Sequence, residues 1–114
     1  MQNEQTTFKT FKEARVGSSS QINCWQANQL GEIRILLWNG KTKMIKPTLS
    51  GGHPNRRYLC LSSNDSKYVH RIVADLFIPN PYNLKTVDHI NGDKMDNRVS
   101  NLQWMTYKEN KSKG

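Results

Sequence analysis

Between residues 69 and 77 the side chains Val69, Ile72, Val73, Leu76 and Phe77 fall at spacings i, i+3, i+4, i+7 and i+8, one continuous apolar face of an α-helix. Pro79 and Pro81 end the pattern, and Asn64, Asp65 and Ser66 ahead of it offer side-chain oxygens for an N-cap, so a helix is expected over 66–77. Only 35% of the 114 residues are hydrophobic, so any core is small and this face is its clearest component. The length suits one domain, or a small domain with a short appended module.

Upstream the texture is strand-like. Ile33–Trp38 and Lys41–Lys46 flank Asn39-Gly40, a strong hairpin signal because both turn residues tolerate positive φ. Tyr58–Leu61 reads as a third strand, giving one small twisted antiparallel sheet. Residues 1–23 are polar, include Gly17-Ser18-Ser19-Ser20, and read as an arm with at most a short helix around Phe8–Ala14. Downstream, Thr86–Ile90 reads as a short strand, Asn91-Gly92 as a turn, and Leu102–Met105 as the returning strand. Thr106 and Glu109 then have the spacing of a capping box, placing Asn110 in the first turns of a C-terminal helix. The expected class is α+β, with a polar arm (1–23), a β-rich module (24–63) and a helix plus hairpin-helix unit (64–114).

Charge narrows the function. Seventeen Lys and Arg against nine Asp and Glu leave a formal charge of +8. Residues 1–57 hold nine basic and three acidic groups, net +6; residues 58–114 hold eight and six, net +2. A small domain so basic usually meets a polyanion. Against that background Asp88, Asp93 and Asp96 fall within nine positions, which suggests a cation held against a phosphate backbone. No stretch approaches the roughly 18 apolar residues of a membrane span, and the N-terminus lacks a signal-peptide core. Two cysteines, Cys24 and Cys60, make neither a disulfide scaffold nor a C-x-x-C zinc site. A cytoplasmic protein with no membrane partner is the expectation.

Residues 87–110, VDHINGDKMDNRVSNLQWMTYKEN, carry Asp88-His89, the Asn-Gly turn, Asp96-Asn97-Arg98, Asn101-Leu102, Trp104 and Asn110. This segment resembles the HNH motif of phage and intron-encoded homing-type endonucleases. Tyr68–Ala74, with Phe77 and Pro79, resembles the helix that precedes it, so the likeness covers about 67–112. Residues 25–61 more loosely resemble a small β-rich DNA-binding module that often leads into the motif, with Asn28–Ile33 as the best-fitting stretch.

The resemblance implies a ββα-metal fold and a DNA phosphodiester hydrolase. By position His89 would be the general base, Asp88 and Asn110 the ligands of one divalent cation, and Asn101 the middle residue of the motif. Asn110 stands where many members have His. Mg²⁺ or Mn²⁺ is implied, without zinc, on double-stranded DNA; a phage enzyme would work in the host cytoplasm.

The residue types suit that chemistry. Histidine has the side-chain pKa nearest neutrality and can deprotonate water. One carboxylate and one amide oxygen leave most positions of an octahedral hard cation to water and phosphate. Asn101 can hydrogen-bond loop backbone and orient the His89 segment. Arg56, Arg57, Arg71, Lys94, Arg98, Lys108 and Lys111 are the expected DNA contacts; His70, on the helix beside its apolar face, is either a packed or surface side chain or a phosphate contact. Trp104 alternates with Leu102 and reads as core, and Met95 as loop packing.

A lone Asp-His pair on a strand is usually structural; the joint spacing of Asp88, His89, Asn101 and Asn110 reverses that. A calcium loop fails because Val87 stands where Asp is needed. A non-catalytic basic nucleic-acid-binding module of HNH-like shape is the alternative. A structural RNA-binding protein is disfavoured, since neither an RNP-type aromatic motif nor a Gly-x-x-Gly clamp is present. One geometric tension stands out. Neighbouring strand residues face opposite ways, so Asp88 and His89 act together only if the strand bends or ends there, or if the phosphate lies between them.

Overall fold

A computed structural model describes residues 6–14, 21–49, 59–62, 65–106 and 108–109, with backbone alone for 59–62 and 65–67. Strands β1 (Lys9–Glu13), β2 (Ile22–Ala27), β3 (Ile33–Leu37) and β4 (Thr42–Ile45) form an antiparallel sheet in that order. The β3–β4 hairpin forms around Asn39-Gly40 as its sequence implies. Gly40 has φ +87°, and Asn39 Oδ1 accepts from the Lys41 amide at 2.9 Å.

The expected short helix around Phe8–Ala14 is not formed; residues 9–13 are the edge strand β1, bulged at Phe11. A segment this short cannot support the cost of helix nucleation by itself, whereas it gains a hydrogen-bonded ladder along β2. Side-chain contacts add to the pairing. The Arg34 guanidinium lies 3.7 Å over the Phe8 ring, Lys12 lies 4.9 Å over Trp25, and Phe11 packs on the core.

The single sheet expected through residue 61 is also corrected. The strand after the 50s, β6 (Leu59–Ser62), pairs with β5 (Thr48–Leu49) and β7 (Asp65–Tyr68) in a separate three-stranded sheet. Asp65 pairs with Ser62, so Asp65 and Ser66, read as helix caps, belong to a strand instead, while Asn64 lies outside the described residues. Helix α1 (Val69–Phe77) therefore starts three residues later than expected, from an extended Tyr68 with no side-chain cap. It is held by its buried face: Val69, Ile72, Val73 and Ala74 join Ala27, Ile33, Val87 and Leu102 in one core. Ile33, Val69 and Val73 are completely buried, each worth about 1.5–3 kcal/mol against exposure.

Strands β8 (Thr86–His89) and β9 (Leu102–Met105) form the expected hairpin, with Asp88 opposite Gln103 and His89 opposite Leu102. Trp104 is partly buried against the core, and its indole Nε1–H donates to the Ile78 carbonyl at 3.0 Å. Among the described residues no helix is long and apolar enough to cross a membrane.

Candidate active site

The hairpin and α1 bring Asp88, His89 and His70 together, all buried. Asp88 Oδ2 accepts from Gln103 Nε2 at 2.9 Å across the strand pair. His89 Nε2 lies 2.7 Å from the Asn97 side-chain carbonyl oxygen, within hydrogen-bond distance, and its ring lies tilted against His70 with centroids 5.0 Å apart. The two neighbouring side chains thus have separate partners, as strand alternation requires. β8 ends at His89, where the Gly92 amide closes a turn on the His89 carbonyl at 2.9 Å and Gly92 takes φ +80°.

The loop between the strands is built on asparagine side chains. Asn101, buried in the short 3₁₀ turn Val99–Asn101, accepts from the Asn91 amide at 3.0 Å. Its Nδ2 donates to Asn91 Oδ1 and to the Asp96 carbonyl, each at 2.9 Å. Asn101 therefore does bond loop backbone and ties residues 91 and 96 beneath the His89 segment. Asp96 accepts two hydrogen bonds at 2.8 Å from the Arg98 guanidinium, which holds its carboxyl down at about 2.

His70 stacks on Tyr68 with centroids 5.6 Å apart. Burial above all, then the neighbouring His89 and Arg71, lowers its pKa to about 3, so it is a neutral, packed imidazole. Arg71 donates to the Lys85 carbonyl and lies 5.4 Å over Trp104. Arg98 and Lys108 are exposed, and Lys94 is half-buried. Met95 is largely exposed, not packed in the loop as its sequence context suggested. Asn110, Lys111, Arg56 and Arg57 lie outside the described residues, as does His53.

Asp88 offers one hard carboxylate beside an imidazole, a donor set suited to a cation that keeps most of its water. Among the described residues, no three His, Cys, Asp or Glu side chains come together to cage a metal. Sequence reasoning assigned no role to Asn97 or Gln103, yet these are the direct partners of His89 and Asp88. Hairpin register would have placed Gln103 opposite Asp88; Asn97 lies in a loop, where register says nothing.

Residues 67–112 match the HNH endonuclease family. The chain is 56% identical over 109 residues to the uncharacterized HNH endonuclease L247 of Acanthamoeba polyphaga mimivirus, a match covering 92% of this chain and 27% of that protein. It is 38% identical over 91 residues to the uncharacterized HNH endonuclease L245 of the same virus, covering 75% and 25% respectively. The chain spans about a quarter of the length of these relatives. Both are viral, from a mimivirus rather than a phage. No solved structure matches the chain.

Proposed function

Residues 67–112 make this chain a member of the HNH endonuclease family, and on that footing we propose that it hydrolyses phosphodiester bonds of duplex DNA. His89 takes the proton of the attacking water, and Asp88 with Asn110 holds one divalent cation, Mg²⁺ or Mn²⁺, in a ββα-metal arrangement. The observation that carries the reading is the placement of Asp88 and His89 at the end of one strand, over a loop tied by Asn101.

Gln103 fixes one Asp88 carboxylate oxygen by its hydrogen bond and so sets the orientation of the carboxyl group that would meet a cation. His89 is held by a buried partner, so its ring loses little freedom when a phosphate arrives. A bound divalent cation would supply charge neutralisation on the phosphate and on the departing 3′ oxygen. Thr106 and Glu109 make the contacts of a helix cap ahead of Asn110 in sequence: the Glu109 amide donates to Thr106 Oγ1 at 3.1 Å, and Thr106 Oγ1 donates to Glu109 Oε1 at 2.8 Å.

The burial of both Asp88 and His89 favours a second reading, a non-catalytic nucleic-acid-binding module of the same shape. Supercoiled-plasmid cleavage separates the two. Nicked or linear product should appear with Mg²⁺ or Mn²⁺, vanish with EDTA and return when the cation is restored. Cleavage that persists in EDTA excludes the metal-dependent mechanism, and no cleavage with either cation leaves the binding module.

A further inference from the structure

We propose that Asn97 is a positioning residue that holds His89 in one tautomer, with Nε2 protonated and Nδ1 carrying the lone pair that accepts the proton of water. This rests on the nuclease reading above for its consequence in turnover, but not for its structural content. The contact is 2.7 Å, between two side chains that are 4% and 5% exposed. A carboxamide oxygen only accepts, so the imidazole nitrogen facing it must bear the hydrogen. The opposite tautomer would set two lone pairs against each other between two buried side chains, at the cost of an unmet buried acceptor.

Asn97 can impose this choice because its own position is fixed from outside the hairpin. The turn between β2 and β3 presses on it. Gly31, at φ +82°, comes so close that a Cβ there would stand 2.9 Å from the Asn97 carbonyl oxygen and 3.0 Å from its Cβ. Two residues on, the Val99 amide donates to the Gln29 carbonyl at 2.8 Å. Asn28, completely buried, shapes that turn by accepting from the Leu30 and Glu32 amides, each at 3.0 Å. The N-terminal sheet thus supplies the floor on which Asn97 sits, and Asn97 supplies the acceptor that orients His89.

The test uses the whole chain labelled with ¹⁵N-histidine, in which ring nitrogen shifts tell Nε2–H from Nδ1–H, together with steady-state plasmid cleavage. Wild-type His89 should be the Nε2–H form. Asn97→Ala should give a mixture of tautomers and lower kcat about 10–100-fold with little change in KM for DNA. Asn97→Asp, which keeps an oxygen at the same place, should restore the Nε2–H form and most of kcat; a merely structural role would not follow the oxygen in this way. Wild-type His89 in the Nδ1–H form overturns the proposal with no variant needed. So does an Asn97→Ala protein that keeps a pure Nε2–H ring, or an Asn97→Asp protein no better than Ala in both readouts. If the wild-type chain cleaves no DNA, the nuclease reading fails, while the ring shifts still decide the role of Asn97.

Discussion

His70 and His89 lie ring against ring but in unlike surroundings. His89 donates to a buried amide, whereas His70 is stacked on Tyr68 and held far below the ordinary histidine value of 6.5, at about 3. In the unfolded chain His70 regains that ordinary value, so between about pH 6.5 and 3 the unfolded state binds the extra proton. Stability therefore falls as pH drops through this window, by at most about 1.4 kcal/mol per pH unit from this group. Urea unfolding at pH 7.5 and pH 5 should show a larger loss for wild type than for His70→Gln, whatever the baseline of the variant; parallel losses would assign the acid sensitivity elsewhere. His89 bears on turnover instead. His89→Ala should lower kcat roughly 10²–10⁴-fold and leave DNA affinity near wild type, since a base acts in the transition state more than in ground-state binding. Wild-type rates in that variant would move the base to another residue.

The elements share one core. Ala27 on β2 and Ile33 on β3 pack with α1, with Val87 on β8 and with Leu102 on β9, so the sheet and the hairpin are expected to unfold together. Ile33 is completely buried, and Ile33→Ala should cost about 2–5 kcal/mol in chemical denaturation. Because the core is common, amide exchange of the β8–β9 hairpin should accelerate along with that of β3. A hairpin that keeps full protection in this variant would show two independent units. Removal of residues 1–23 likewise takes away β1 and its packing through Phe11, as well as any DNA contact made by the arm.

The whole molecule carries +8, with net +6 on residues 1–57. On duplex DNA each phosphate neutralised contributes a slope of about −0.9 to log K against log salt. Affinity should fall steeply with salt, and two unrelated duplexes should bind almost equally, since phosphate contacts position a protein without reading bases. Fluorescence anisotropy on both duplexes across a salt series measures this. A shallow slope joined to strong preference for one duplex would show that the sheet reads base edges. Several basic residues also have partners within the protein: Arg98 is paired with Asp96, Arg71 donates to the Lys85 carbonyl and lies over Trp104, and Arg34 lies over Phe8.

What the sequence by itself determined is local or carried by a motif. The apolar spacing of Val69–Phe77 marked α1, Asn39-Gly40 and Asn91-Gly92 marked the two turns, and the spacing of Thr106 and Glu109 marked the cap. The 87–110 segment led to the family. Each signal acts within a few residues, through φ preference, side-chain periodicity or a capping hydrogen bond, so it survives whatever the rest of the chain does. Only the tertiary structure decided that Lys9–Glu13 becomes an edge strand, that β6 leaves the first sheet, and that Asp65 and Ser66 join a strand instead of capping α1. It alone brought His70 onto His89 and Asn97 beneath it, with Gly31 pressed against the Asn97 backbone from a distant turn. Those contacts join residues with no common local pattern. They arise because one small core must be closed by packing two sheets and a hairpin around α1, and polar groups trapped in that closure must find partners wherever the chain has placed them.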